Sequence, residues 1–136
     1  YTHQITVTST LRGFHTVNSA VEIDLTGQVN AEMAGDRYLG AVGGQVDFVR
    51  AGVASSGGRS IIALPAATPD GKHSRIVASL CGRPVTTARS DVDVIVTEYG
   101  VAELRGCSLQ ERRRRLLAIA HPDHREKLER EVHDGH

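Results

Sequence analysis

The sequence predicts an α/β fold: a layered sheet, mixed or largely parallel, flanked by helices. Three observations carry that prediction. Residues 92–97 (VDVIVT) and 60–64 (SIIAL) are short apolar runs, the pattern of strands covered on both faces. Between the early strand candidates, Val46, Val49 and Val53 recur at helical spacing in a segment bounded by paired glycines. The chain then closes on two helical segments, and strands interleaved with a helix and followed by helices make a layered α/β domain.

The elements follow in order. Residues 5–10 alternate apolar residues with threonine, which suits an extended segment or an edge strand. Further on, Val21, Ile23 and Leu25 alternate with Glu22 and Asp24, a half-buried strand, and residues 26–28 (TGQ) read as a turn. Gly43 and Gly44 form a tight turn that feeds the helix at 46–54, and Ser55, Ser56, Gly57 and Gly58 stop it. Pro65 ends the 60–64 strand, residues 68–71 (TPDG) are turn chemistry, and 75–78 and 84–88 are further strand candidates. Ser108 with Glu111 forms a capping box that opens a helix over 109–120, with Leu109, Leu116, Leu117 and Ala120 on one face. Pro122 restarts a second, highly charged helix that runs to about residue 132.

Composition narrows the function classes. A length of 136 residues suits one domain. Sixteen Lys plus Arg balance sixteen Asp plus Glu, which excludes nucleic-acid binding through bulk charge and an acidic disordered tail. A hydrophobic content of 40% excludes a disordered chain. No apolar run approaches the roughly 20 residues of a membrane helix, and the N-terminus has no signal layout, so no membrane partner is expected and the location is read as cytoplasmic. The chain opens at Tyr1 and has Met33 as its only methionine, which suggests a piece of a longer protein. Cys81 and Cys107 lie far apart with no zinc spacing, so they read as ordinary thiols of a reducing cytosol, and no histidine pair has metal-ligand geometry.

Three constellations could carry chemistry. Gly43 and Gly44, ahead of a helix and followed by Gln45, leave backbone N–H groups free to converge on an anion or a developing oxyanion; the plainer alternative is a tight turn packing a helix on a sheet. Glu98, with Tyr99 and Gly100, directly follows the strongest strand, where α/β sheets bind ligands. It could orient a substrate, transfer a proton or act as a nucleophile, or simply sit at the N-terminus of a helix over 100–104. Lys72 and Arg75 flank a polar loop and could reach one phosphate group, or could simply be solvated. The arginines at 112–115 point around all sides of one helix and read as a solvated face, not an RNA site.

Taken together, residues 17–30 (VNSAVEIDLTGQVN), 40–48 (GAVGGQVDF), 72–76 (KHSRI), 85–93 (VTTARSDVD), 96–106 (VTEYGVAELRG) and 119–125 (IAHPDHR) resemble the acetyl-CoA hydrolase/transferase family, which includes 4-hydroxybutyrate and succinyl-CoA:acetate CoA-transferases. The likeness runs in order from Val17 to about Leu128 and is to the family's C-terminal domain. It implies a CoA-transferase-like fold over 1–136, with the parent protein's N-terminal domain absent from this chain. It further implies coenzyme A as substrate and product with no tightly bound cofactor, acyl-CoA and small carboxylic acids as ligands, and a homo-oligomer. In the family a glutamate attacks the thioester, and that glutamate lies upstream of everything matched here. The resemblance gives Gly43 and Gly44 the oxyanion hole, Glu98 a place lining the acyl pocket, and Asn18, Gln45, Lys72, Arg75, Tyr99 and Gly100 contacts to substrate or CoA. It also sets an asparagine near the position of His3, where a histidine could donate in its place. An acyl-CoA hydrolase and a non-catalytic CoA-binding or assembly module are the alternatives.

Overall fold

The computed structural model describes residues 4–8, 10–40 and 43–135; His3 lies outside them. Its centre is a four-stranded sheet built from β1 (His15–Ser19), β6 (Arg59–Ala63), β8 (Val94–Thr97) and β9 (Gly100–Glu103), in that order. The first three strands run parallel and β9 returns antiparallel to β8, so the sheet is mixed, as predicted. Before β6 lie β2 (Glu22–Asp24), β3 (Val29–Asn30), β4 (Met33–Ala34), β5 (Arg37–Tyr38) and α2 (Gln45–Ala54), which follow a short α1 (Ile5–Thr8). Strand β7 (Ile76–Val77) joins β2 and β3 in a three-stranded sheet, and α3 (Leu109–Ala118) and α4 (Pro122–Asp134) complete the chain.

Register explains which face of the main sheet is buried. Asn18, Ile62, Ile95 and Ala102 are neighbours across the four strands. Ile62, Ile95 and Ala102 join Val49 of α2, Leu116 of α3 and Leu128 of α4 in one core cluster. All three long helices therefore cover the same face. Full burial of a side chain such as Ile62 or Ile95 contributes about 1.5–3 kcal/mol.

Several sequence expectations change. Residues 5–8 are helical, not extended: Thr8 folds its hydroxyl back onto the Gln4 carbonyl at 3.1 Å, a local bond that competes with strand pairing. The candidate strand at 84–88 forms only an isolated bridge between Thr87 and Val29. Residues 100–103 are a strand, not a helix, because Gly100 pairs with Thr97 across a two-residue turn made by Glu98 and Tyr99. The capping box forms in its forward half: Ser108 Oγ accepts from the Glu111 amide at 3.2 Å, while the Glu111 carboxylate turns to Arg114 and Arg115.

Arg112 is the exception in the arginine run. It is buried, and its Nη1 donates to the carbonyls of Arg89 at 2.7 Å and Thr26 at 3.3 Å, while Nε donates to Cys107 at 3.4 Å. The side chain ties α3 to the turn after β2 and to the loop before β8. Gly27 makes room for it: its φ is +97°, and an added Cβ would lie 2.7 Å from Arg112 Nη1.

Two predictions follow from these contacts. Arg112→Met keeps the volume but strips a donor from three carbonyls; a stability loss of about 1–3 kcal/mol is expected in urea unfolding, and an unchanged midpoint would show that the ties hold nothing. Hydrogen bonds from Arg114 and then Arg115 hold the Glu111 carboxyl down at about 2, below its ordinary 4.5. A depressed folded value means the stabilisation is present above pH 4.5 and is lost as pH falls toward 2. The melting-temperature gap between the wild type and Glu111→Gln is expected to close over that window, and to shrink in salt because the pair is on the surface.

Candidate functional site

The parallel strands β1, β6 and β8 present their carboxyl ends on one edge of the sheet, and Asn18, Gln45, Glu98, Tyr99 and Gly100 lie at that edge, while Lys72 and Arg75 lie elsewhere. Helix α2 returns the chain from that edge toward the start of β6. Gly44 is its N-cap, at φ −77° and ψ 8°, and no side chain caps the helix. Among the described residues no side chain accepts from the first-turn amides, and Asp47 in that turn suits the positive end of the helix dipole.

Gly43 is exposed, its φ is not positive, and a Cβ added to it would meet nothing within 4 Å. Gly44, at φ −77°, is not in a conformation that demands glycine. Gln45 locks this turn in place: its Nε2 donates to the Ser19 carbonyl at 2.8 Å, and its Oε1 accepts from Thr87 Oγ1 at 3.0 Å. Both ends of the Gln45 amide are thus engaged within the chain, and the residue positions the helix. Asn18, one residue before the end of β1, buries its Nδ2 without a hydrogen-bond partner among the described residues.

Glu98 stands in the turn after β8, two strand positions from β1, or roughly 10 Å at ordinary strand spacing. The residue is exposed, yet its Oε2 is fixed by the backbone amide of Ala66, which donates at 2.9 Å. Among the described residues the other carboxylate oxygen has no hydrogen-bond or ion-pair partner. Thr97 sets the turn from beneath: its buried hydroxyl donates to the Ile119 carbonyl at 2.7 Å and accepts from the Tyr99 amide at 3.1 Å. Tyr99 is half-exposed, and its ring meets His121 edge-on, with centroids 5.3 Å apart. Gly100 has φ +145°, which only glycine adopts readily, so its identity is demanded by the hairpin.

Lys72 and Arg75 line a separate open groove of about 710 Å³, with His73, Arg83, His124 and Lys127. Lys72 is exposed at the tip of a built loop: the Asp70 carboxylate accepts from Thr68 Oγ1 at 2.6 Å and from the Lys72 amide at 3.0 Å. These bonds, the Thr68 hydroxyl foremost, hold the Asp70 carboxyl below its ordinary range. Arg75 lies deeper, with Nη1 donating to the Val21 carbonyl at 3.2 Å and Nε buried without a partner among the described residues. The glycine turn and Glu98 do not line this groove. The two regions touch through Ala66, whose amide serves Glu98 and whose carbonyl accepts from the Arg75 amide at 2.9 Å.

Sequence reasoning places Thr97 beside Glu98 without giving it a role, and it misses Ala66 and Thr87 as supports. A hydroxyl at the last strand position before a candidate carboxylate could have signalled Thr97. The Ala66 amide and the distant Thr87 have no sequence signature.

The open α/β sheet thus carries a glycine helix turn and a carboxylate at its carboxyl edge, where such sheets bind ligands. The chain belongs to the acetyl-CoA hydrolase/transferase C-terminal domain family, whose profile matches residues 1–132. It is 51% identical over 113 residues to the 4-hydroxybutyrate coenzyme A transferase of Clostridium kluyveri, covering 82% of this chain and 26% of that protein. Among solved structures, it is similar to RipA from Yersinia pestis, with TM-score 0.89 and 40% identity over 100% of this chain and 29% of that one. It is also similar to a 4-hydroxybutyrate CoA-transferase from Porphyromonas gingivalis, with TM-score 0.81 and 40% identity, covering all of this chain and 30% of that one. The chain therefore spans between a quarter and a third of the length of these relatives. Among the described residues, no helix is long and apolar enough to cross a membrane, and no cluster of three or more His, Cys, Asp or Glu could hold a metal ion.

Thr97→Val deletes the hydroxyl that joins the Tyr99 amide to Ile119. Exchange of the Tyr99 amide is expected to rise about tenfold, equivalent to about 1.4 kcal/mol, while Thr97→Ser stays near wild type. Equal exchange in all three proteins would remove Thr97 from the support of the turn.

Proposed function

We propose that this chain is the C-terminal domain of an acyl-CoA:carboxylate CoA-transferase acting on acids of the acetate, 4-hydroxybutyrate or succinate type. In this reading it lends an oxyanion hole and part of the acyl and CoA pocket to a site whose nucleophilic glutamate lies in an upstream domain. One observation carries it: an uncapped helix N-terminus at the carboxyl edge of the sheet is preceded by two glycines, of which Gly43 is exposed with nothing within 4 Å of an added Cβ and Gly44 has an ordinary φ of −77°. Glycine is useful there if a ligand oxygen must approach the backbone amides.

The chemistry is a sequence of acyl transfers. The glutamate carboxylate attacks the thioester carbonyl, the carbon–sulfur bond breaks, CoA leaves as thiolate, and an acyl-glutamyl anhydride remains. The thiolate attacks the glutamyl carbonyl, releasing the acyl group as its carboxylate and leaving a glutamyl-CoA thioester. An acceptor carboxylate then attacks that thioester, and the same two steps run in reverse to give the new acyl-CoA. An oxyanion develops at each tetrahedral stage, and in this reading the amides at Gly43 and Gly44, Gly44 foremost, meet it. Fixed donors act strongly here because they need no reorganisation as charge develops.

The remaining residues take supporting roles. Glu98 lines the acyl pocket with one oxygen held by Ala66, and Tyr99 and Gly100 shape the pocket wall. The unpartnered Asn18 amide supplies a further donor, and Gln45 fixes the turn. Lys72 and Arg75 face the CoA phosphates or the pantetheine arm. No tightly bound cofactor is needed. Exposed Cys81 and half-buried Cys107 are free thiols, which suits the cytoplasm, and the protein acts as a homo-oligomer.

The test uses the full-length protein with acetyl-CoA and a carboxylate acceptor. Gly44→Val is expected to lower kcat by on the order of a hundredfold or more with the fold intact by circular dichroism. Glu98→Gln is expected to cost less and to keep the covalent glutamyl-CoA adduct detectable by mass. Near-normal rates in Gly44→Val, or robust transfer by the 136-residue chain alone, would overturn the division of roles. Free acid formed without an acceptor would make the enzyme a hydrolase; CoA binding without any turnover would make it a non-catalytic module.

A further inference from the structure

Three rings connect the carboxylate edge to the basic groove. Tyr99, in the turn beside Glu98, meets His121 edge-on with centroids 5.3 Å apart, and His121 lies 5.5 Å from the ring of His124 at a tilt of 58°. Both separations are those of rings in packing contact. At the far end, His124 Nε2 lies 2.8 Å from the Gly71 carbonyl oxygen, next to Lys72. Hydrogen bonds fix the state of each imidazole. His121 is the N-cap of α4: its Nδ1 accepts from the Asp123 amide at 3.2 Å, and an amide only donates, so that nitrogen carries a lone pair and Nε2 carries the hydrogen. The Gly71 carbonyl only accepts, so His124 Nε2 is the donor there. The two histidines stand three residues apart at the start of α4, and the His121 carbonyl accepts from the His124 amide at 3.0 Å, which fixes their spacing. Each histidine thus holds the backbone through one nitrogen and a neighbouring ring through packing, and neither enters the transfer steps above.

We propose that His121 and His124 are positioning residues that couple the Glu98–Tyr99 turn to the Lys72 loop through the ring contacts Tyr99–His121–His124. Both ends of this connection are built turns: the Tyr99 amide donates to Thr97 Oγ1 at 3.1 Å, and the Lys72 amide donates to the Asp70 carboxylate at 3.0 Å. A shift at one turn is therefore passed to the other through side chains whose orientation the backbone sets. In function, the pair holds the acyl end and the phosphate end of one ligand at a set spacing. That role rests on the transferase reading, whereas the coupling does not. A second connection runs through Ala66, which joins Glu98 to the Arg75 amide. It meets the loop at its exit into β7, while His124 holds the loop at its tip, beside Lys72.

The experiment is hydrogen exchange on the full-length protein, read by mass spectrometry over segments 68–76 and 96–104. Tyr99→Ala removes a ring two links away from Gly71, yet it is expected to speed exchange over 68–76 about fivefold. Coupling is reciprocal, so His124→Ala is expected to speed exchange over 96–104 by a similar factor. His121→Asn deletes the middle ring and keeps an N-cap acceptor for α4. In that background Tyr99→Ala is expected to add nothing over 68–76. Kinetics supply a readout that packing alone would not move. His121→Asn is expected to raise KM for acyl-CoA about fivefold with kcat within about twofold, and His121→Phe, which returns the ring without the cap, to bring KM back toward the wild type. Unchanged exchange over 68–76 in Tyr99→Ala would overturn the coupling. So would an effect of Tyr99→Ala that persists in the His121→Asn background, which would make Ala66 the link. An unchanged KM in His121→Asn, or one that His121→Phe does not recover, would overturn the positioning role. A wild type without turnover would sink the transferase reading alone, and exchange would still decide the coupling.

Discussion

Gly58 sits where no other residue fits: an added Cβ would lie 2.5 Å from the Gly52 carbonyl oxygen and 2.6 Å from that of Phe14. Gly52 is confined in the same way, with its own added Cβ 2.9 Å from the Arg59 carbonyl oxygen and 3.0 Å from Thr16 Oγ1. These contacts press the end of α2 onto the start of β6 and onto β1. Ten residues of helix then extend roughly 15 Å, about the length of the five-residue strand beneath. Pinning one end of α2 by glycine contacts therefore delivers its other end to the carboxyl edge of the sheet. The Gln45 bridge to Ser19 and Thr87 fixes that end in register.

The glycines thus divide into two kinds. Gly52, Gly58 and Gly27 are required by contacts within the chain, and Gly100 by its backbone angle. Gly43 meets nothing within 4 Å of an added Cβ, and Gly44 has an ordinary φ of −77°. Glu98 shows a similar separation between support and function. One oxygen is held by a backbone amide, and among the described residues no cation lies within ion-pair distance. A carboxylate steered by a neutral donor keeps its charge available to whatever enters the edge. A salt bridge in the same place would have neutralised it.

Strong local signals were legible in the sequence. The apolar runs at 60–64 and 92–97, Ser108 with Glu111, and Pro122 all act over a few residues and give the elements they predict. Local pattern failed where a tertiary contact or a competing local bond decides. Threonine alternation at 5–8 yields a helical turn through a side-chain bond to the backbone, and Gly100 reads equally well as a helix start or a hairpin partner. Arg112 was indistinguishable from Arg113, Arg114 and Arg115 because its partners at Thr26 and Arg89 are distant in sequence. At the site, Glu98 and the glycine turn could be singled out from their position beside strand and helix. Their supports, Ala66 and Thr87, could not, since a backbone amide has no sequence identity and the Thr87–Gln45 contact spans 42 residues.

The sheet face opposite the three long helices runs up to the site edge. The row of Ser19, Ala63, Val96 and Val101 lies beside the carboxyl ends of β1, β6 and β8, the edge that carries Asn18 and Glu98 and to which Gln45 ties the start of α2. The supports of that edge come from within the chain: Gln45 ties the start of α2 to Ser19 and Thr87, and the Ala66 amide holds one oxygen of Glu98. Neutral donors and acceptors do the positioning on both sides of the edge, so its one carboxylate is steered without a countercharge.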